Sequence, residues 1–345
     1  MFDKKTVFVV GAGGSCEVGL PLGDELKAKI AKCVDIKFEN GQRQISGDTN
    51  ITEALRILCR DIGVQSINGH LHAGWAISSG MPQAISIDNF LHTHADDSNI
   101  KLVGKLGIVA SILAAERKSK FYCDSRDGLN LANIPSSWHR TLTKMLLEGV
   151  QTNDFNDIFD NISIITFNYD RCIEHYLSLA LSNQLLIPIG QAQSVVNKLE
   201  VAHPYGQIGR LSWQNGNTPA VAFGAHAQPR LLLDIASQIR VFTERVEDRQ
   251  AMDNIHRLIS AAEVVVYLGF SYGNLNLELL SLPERARQPK VIFGTTAGIS
   301  TPNVKHIERQ IKESMGPDPD VVTEIHLAPL YCDQFLIDHW RPIMG

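Results

Sequence analysis

Apolar residues fall along this chain in two rhythms. Short, nearly unbroken runs, Val7-Phe8-Val9-Val10, Ile162-Ser163-Ile164-Ile165-Thr166-Phe167, Val264-Val265-Val266-Tyr267-Leu268 and Val291-Ile292-Phe293, read as strands buried on both faces. Thr323-Glu324-Ile325-His326-Leu327 is a further strand candidate. Elsewhere apolar positions recur every three or four residues, as in an amphipathic helix. One such helix is expected from Leu22 to about Cys33, with Leu26, Ile30 and Cys33 on one face. Others carry Leu55, Leu58, Cys59 and Ile62; Leu102, Leu106, Val109 and Leu113; and Ile173, Tyr176, Leu177, Ala180 and Leu181. Another, capped by Ser136 or Ser137, carries Trp138, Leu142, Met145 and Leu146. One strand, a long helical stretch, then alternating strands and helices predict an α/β fold: a Rossmann-like parallel sheet with helices on both faces and a helical insertion. The expected division is a single domain, 1–345, with 1–37 and 162–345 as the nucleotide-binding core and 38–161 as the insertion.

Composition narrows the classes. The 345 residues suffice for a large core. A net charge of −5 argues against a dedicated nucleic-acid binder. The six cysteines, Cys16, Cys33, Cys59, Cys123, Cys172 and Cys332, form no C-x-x-C pair, which predicts reduced thiols in a cytoplasmic protein and no zinc knot. No leader and no membrane-spanning apolar run are read from the sequence. His70-x-His72 and His92-x-His94 sit in helical stretches, where side chains two apart diverge, so no metal site is expected.

In a parallel sheet, ligands bind beyond the carboxyl ends of the strands. The first strand runs into Gly11-Ala12-Gly13-Gly14-Ser15 and then a helix, the arrangement that brings backbone N–H groups to a diphosphate. Cys16 stands where the dinucleotide fingerprint has its third glycine. An ordinary dehydrogenase would also place an acid about twenty residues on. Asp35 is the candidate, although no second strand–helix unit follows Phe38. The other strand ends carry Thr166-Phe167-Asn168-Tyr169-Asp170, Val201-Ala202-His203-Pro204-Tyr205-Gly206, Gly269-Phe270-Ser271-Tyr272-Gly273-Asn274 and Gly294-Thr295-Thr296.

These segments, with Gly19-Leu20-Pro21 behind the glycine turn, resemble the sirtuin family, specifically its divergent bacterial branch of NAD-consuming antiphage defence proteins. Order and spacing match over most of the chain, and the stretch 38–161 corresponds loosely to the family's helical module. Ser86-Ile87-Asp88-Asn89-Phe90-Leu91 resembles a stretch common in that branch and also reads as a capped amphipathic helix. The chain lacks the two C-x-x-C pairs of protein-deacylating sirtuins. It has Leu22-Gly23-Asp24-Glu25 where they carry an Asp-Phe-Arg element. Both departures favour NAD hydrolysis over deacylation.

The resemblance implies NAD as substrate, no metal, Asn168 and His203 as catalytic residues, and Gly11, Ala12, Gly13, Ser15, Asp170, Gly269, Ser271 and Thr295 as NAD-binding. Asn168 would orient water or hold the ribose, and His203 would accept a proton. Each residue also has a structural reading. Asn168 would cap the helix near Asp170, His203 would bond backbone, Ser271 and Asn274 would cap the next helix, and Asp170 would be a helix N-terminal acid. The rival functions are a non-catalytic sensor of NAD or ADP-ribose and a protein deacylase or ADP-ribosyltransferase. An NAD hydrolase must be restrained, so a homo-oligomer or a separately encoded partner such as an ATPase is expected, with the insertion as contact surface or as a cover for the cleft.

Overall fold

The computed structural model describes residues 2–345 except 124–127, 135, 153, 285 and 319. The chain begins with β1 (Thr6–Val10), α1 (Ala12–Cys16) and α2 (Gly23–Val34), followed by a hairpin of β2 (Lys37–Glu39) and β3 (Arg43–Ser46). Helices α3 (Thr49–Asp61), α4 (Asn68–Gly80), α5 (Ile87–Thr93), α6 (Ser98–Lys118) and α7 (Trp138–Leu147) come next. Then follow β4 (Ile162–Thr166), α8 (Cys172–Leu185), α9 (Ile189–Val196), β5 (Glu200–Ala202), α10 (Pro229–Ala236), α11 (Phe242–Glu247) and α12 (Arg249–Ala261). The chain closes with β6 (Val264–Leu268), α13 (Asn274–Leu280), β7 (Lys290–Thr295), α14 (Thr301–Ser314), β8 (Val322–Ala328), α15 (Cys332–Asp338) and α16 (Trp340–Met344).

Six strands form one parallel sheet in the order β5-β4-β1-β6-β7-β8. Counting only these strands along the chain, the order is that of a doubly wound, Rossmann-like sheet, whose direction of winding reverses beside the first strand. Here that point lies between β1 and β6. β1 is buried on both faces, as its unbroken apolar run requires. Val7 and Val9 join one core, built with residues of α2, α3, α4, α6, α10 and α12; Phe8 and Val10 join the other, built with residues of α7, α8, α9 and α15.

The stretch between the hairpin and β4 therefore serves both faces. Helices α3 to α6 cover one side, while Trp138, Leu142, Met145 and Leu146 of α7 lie in the core of the other. α6 differs from the expected single apolar stripe. It is buried nearly all round, as a helix sandwiched between layers must be. It is also long and apolar enough to cross a membrane, which the sequence reading did not anticipate, and 67% of its most apolar window is packed inside the protein. Asp35 falls between α2 and the β2–β3 hairpin, outside the six-stranded sheet, where its carboxylate meets Lys37 at 2.8 Å. It stands at no strand end of that sheet.

Candidate functional site

The glycine turn after β1 meets the end of β6 backbone against backbone. Gly13 N–H donates to Gly269 O at 3.0 Å, and Gly11 N–H to Leu268 O at 3.0 Å. A Cβ on Gly11 would stand 2.6 Å from Gly269 O, and one on Gly13 would stand 2.8 Å from Gly269 Cα. Gly269 itself has φ +56°, and a Cβ there would lie 2.1 Å from Gly14 N. These glycines thus admit one another. Gly14 N–H is bonded to Gly11 O at 2.9 Å, so the N–H groups of Gly11, Gly13 and Gly14 are all spent on the protein itself.

Thr295 and Tyr272 brace this contact. Thr295 Oγ1 accepts from Gly269 N–H at 2.8 Å, and Tyr272 Oη donates to Thr295 O at 3.1 Å. Tyr272 adopts φ +54°, a conformation a bulky side chain rarely takes. Thr295 is buried and holds the turn; Ser271 is exposed at the start of the β6–α13 loop.

The opposite side of β1 has a different chemistry. Asn168, 8% exposed, directs Nδ2 to Gly11 O at 3.0 Å and to Ser15 Oγ at 2.9 Å. Gly11 O only accepts, which fixes the NH2 edge of the amide on that side. Oδ1 is left as the edge that can take a donor from a ligand or water. Ser15 in turn hydrogen-bonds Asp170, whose Oδ1 accepts from Cys172 N–H at 3.0 Å. Asp170 thus accepts from the first residue of α8, whose N-cap position is Arg171, and Asn168 does not cap that helix. Burial pushes the Asp170 carboxyl up, against the pull of the Cys172 and Ser15 hydrogen bonds. Gly11, Ser15, Asn168 and Asp170 thus form one hydrogen-bonded group. Ser15, expected at the diphosphate, has its hydroxyl engaged with Asn168 and Asp170. Ala12 is the first residue of α1, beside the same turn.

His203 follows β5 and adjoins Asn168. Its Nδ1 stands 3.2 Å from Asn168 O, and its Nε2 stands 3.5 Å from Glu174 Oε1. Both ring nitrogens thus face acceptors, and the backbone contact expected of a structural histidine is present alongside a carboxylate contact. Glu174 also accepts from Gln214 Nε2 at 3.3 Å. Although burial opposes it, the His203 contacts and the Gln214 hydrogen bond hold the Glu174 carboxyl below its ordinary value.

One turn back on the same segment, Arg171 is fully buried against Glu116 of α6. Glu116 accepts from Arg171 N and Nε at 3.1 Å each, from Arg171 Nη2, and from Gly224 N at 2.9 Å. Arg171 Nη1 donates to Val221 O at 2.6 Å, so the loop around 221–224 is tied to both charges. The insertion reaches the site a second time through Asp88, which accepts from the Tyr169 hydroxyl. Ser86 caps that short helix, its Oγ accepting from Asn89 N at 3.0 Å.

Glu116, Arg171, Glu174 and Asp88 were not singled out from sequence as site residues, because each gains its meaning from a partner distant in the chain. The Ser86–Leu91 segment was the only pointer, to Asp88. Among the described residues no group of three or more His, Cys, Asp or Glu side chains gathers as a metal site. His70 and His72 lie on α4, and His92 and His94 lie at the end of α5. A shallow concavity of about 350 Å³ lined by Asp3, Lys5, Asn161, Glu263 and Arg287 opens at the other end of the strands, away from the glycine turn. No protein-family model matches the chain, and no curated protein matches its sequence.

Proposed function

We propose that this protein hydrolyses NAD to nicotinamide and ADP-ribose. The observation that carries the reading is Asn168: a buried amide, oriented by Gly11 O and Ser15 Oγ beside the winding reversal of the sheet, with His203 adjacent to its backbone carbonyl. In the reaction the bond between the ribose anomeric carbon and the nicotinamide nitrogen breaks, and its electron pair neutralises the ring charge. Water oxygen bonds the same carbon, and one proton is released. Positive charge builds on the sugar, so a site for this chemistry needs an acceptor edge for water or a ribose hydroxyl and a group to take the proton. Asn168 Oδ1 supplies the first. His203, together with Glu174, supplies the second. In this reading the turn at Gly11, Ala12 and Gly13 faces the diphosphate, Ser15 and Asp170 hold Asn168, Gly269 and Thr295 shape the turn, and Ser271 meets the adenosine half.

A second reading has its own observation. Both nitrogens of His203 are directed at protein acceptors, so the imidazole as placed binds more readily than it abstracts a proton. That favours a non-catalytic module that senses NAD or ADP-ribose. Incubating the purified protein with NAD and following nicotinamide release separates the two. Turnover supports the hydrolase; binding without turnover supports the sensor; release only with an acyl peptide or acceptor protein returns deacylation or ADP-ribosyl transfer.

An unrestrained NAD hydrolase would drain its own cell. The proposal therefore includes an antiphage role in the cytoplasm, with activity held back by self-assembly or by a separately encoded partner such as an ATPase. Molecular mass and turnover measured across a dilution series test this. Full activity of a monomer at every concentration would remove it.

A further inference from the structure

Glu174 belongs to the first turn of α8 and is 3% exposed. Both of its contacts fall on Oε1, at 3.5 and 3.3 Å, and Oε2 is buried with no hydrogen-bond partner. A carboxylate kept for stability alone would have its lone pairs met, because an unmet buried acceptor costs free energy. The geometry around His203 shows what this carboxylate faces. Asn168 O accepts and never donates, so the hydrogen of that contact sits on His203 Nδ1. Nε2 then faces Oε1, and two bare acceptors would repel one another, so a proton lies between them.

We infer that Glu174 is the positioning residue of His203: it anchors Nε2 while Asn168 O anchors Nδ1, so the ring plane is fixed and a proton is kept on the line from Nε2 to Oε1. Gln214 steadies the carboxylate from its other side. The consequence for catalysis rests on the NAD reading above: with both ring nitrogens carrying hydrogen, the proton released when water adds to the ribose ends on the Glu174 carboxylate, whose Oε2 is unmet. The ring geometry itself rests only on the contacts.

The test uses the full chain with ¹⁵N-labelled histidine at a single pH near 7.5, His203 being assigned by its loss in His203→Ala. In the wild-type protein both ring nitrogens of His203 are expected to give the signals of protonated nitrogen. In Glu174→Gln the ring has no carboxylate to face, and Nε2 is expected to move to the range of a bare nitrogen while Nδ1 stays. Ring signals unchanged by Glu174→Gln overturn the inference. So does a wild-type ring whose bare nitrogen is Nδ1, a result that needs no variant and holds even if Glu174→Gln fails to fold.

The kinetic arm expects kcat for nicotinamide release to fall at least ~10-fold in Glu174→Gln, with KM within about twofold of wild type. An unchanged kcat in a protein that turns NAD over overturns the inference. If the ring signals move as expected but the wild type never releases nicotinamide, the inference stands and the hydrolase reading falls.

Discussion

Two glutamates are buried within reach of the first turn of α8, and they are treated in opposite ways. Glu116 meets four donors from Arg171 and Gly224, and two further N–H groups of the Arg171 guanidinium meet the carbonyls of Val221 and Ala222. Glu174 meets two donors, both at long range and both on one oxygen. A buried ion pair tolerates its desolvation only when its geometry is saturated in this way, so the first pair reads as a clamp that fixes the loop over the strand ends. The second is left with capacity, which is what a group needs if it is to exchange protons. Degree of satisfaction, more than burial, distinguishes the two glutamates.

The comparison breaks most visibly at the clamp. Glu116→Ala leaves the Arg171 guanidinium buried and unpaired, and is expected to cost about 3–5 kcal/mol. A shift in urea midpoint measures it, and a loss under ~1 kcal/mol would mean the pair is not a clamp. Next in size is Asn168→Ala. Removing the oriented amide is expected to reduce nicotinamide release at least ~100-fold while the protein stays folded. Near-normal turnover in this variant and in His203→Ala would place the chemistry elsewhere.

His139 asks whether every unmet buried group is functional. It packs among Phe121, Trp138 and Tyr176, and neither ring nitrogen has a partner among the described residues. Burial pushes its imidazole down to about 3, whereas an unfolded histidine titrates near 6.5. The folded ring resists protonation, so its contribution is complete above about pH 6.5 and is lost as pH falls toward 3. His139→Phe is expected to narrow the gap between urea midpoints at pH 7 and pH 5 and to leave turnover as it was. A misfit of the larger ring would shift both midpoints together and is thereby told apart. The smallest effect belongs to Glu174→Gln, expected to change stability by less than ~1 kcal/mol because little hydrogen bonding is lost. A loss as large as that of Glu116→Ala would erase the distinction between the two glutamates.

Much of the sheet was legible in the sequence because its strands are buried on both faces. Val7–Val10, Ile162–Thr166 and Val264–Leu268 needed no alternation to reveal them, and the β6 and β7 boundaries followed their apolar runs closely. The sequence places Asn168 and His203 after two strands and predicts side chains facing one cavity; in the structure His203 Nδ1 stands 3.2 Å from the backbone O of Asn168. Asn168 is one candidate cap in the sequence; in the structure Arg171 takes the N-cap position of α8 without a side-chain cap bond, and Asp170 before it accepts from Cys172 N–H. Three things were hidden. The β2–β3 hairpin is short and half exposed, so it carries no apolar signature. α6 is apolar around its whole circumference, so counting one stripe understated its burial. The partners of Arg171 and Glu174 come from α6 and from the stretch after β5, and pairings over such distances leave no local periodicity to read.

The place of β1 has a consequence in time. Thr6 is made first, yet the residues it pairs with are Ile162 on one side and Val264 on the other. At roughly 5–20 residues per second, its first strand partner emerges from the ribosome about 8–30 seconds later and its second about 13–50 seconds later. Until Asn168 and then Gly269 have been made, the glycine turn has neither the amide that bonds Gly11 O nor the backbone it packs against. A nascent chain therefore carries an unpaired β1 and an unfinished glycine turn through most of its synthesis, and they are completed in two stages, one on each side of β1.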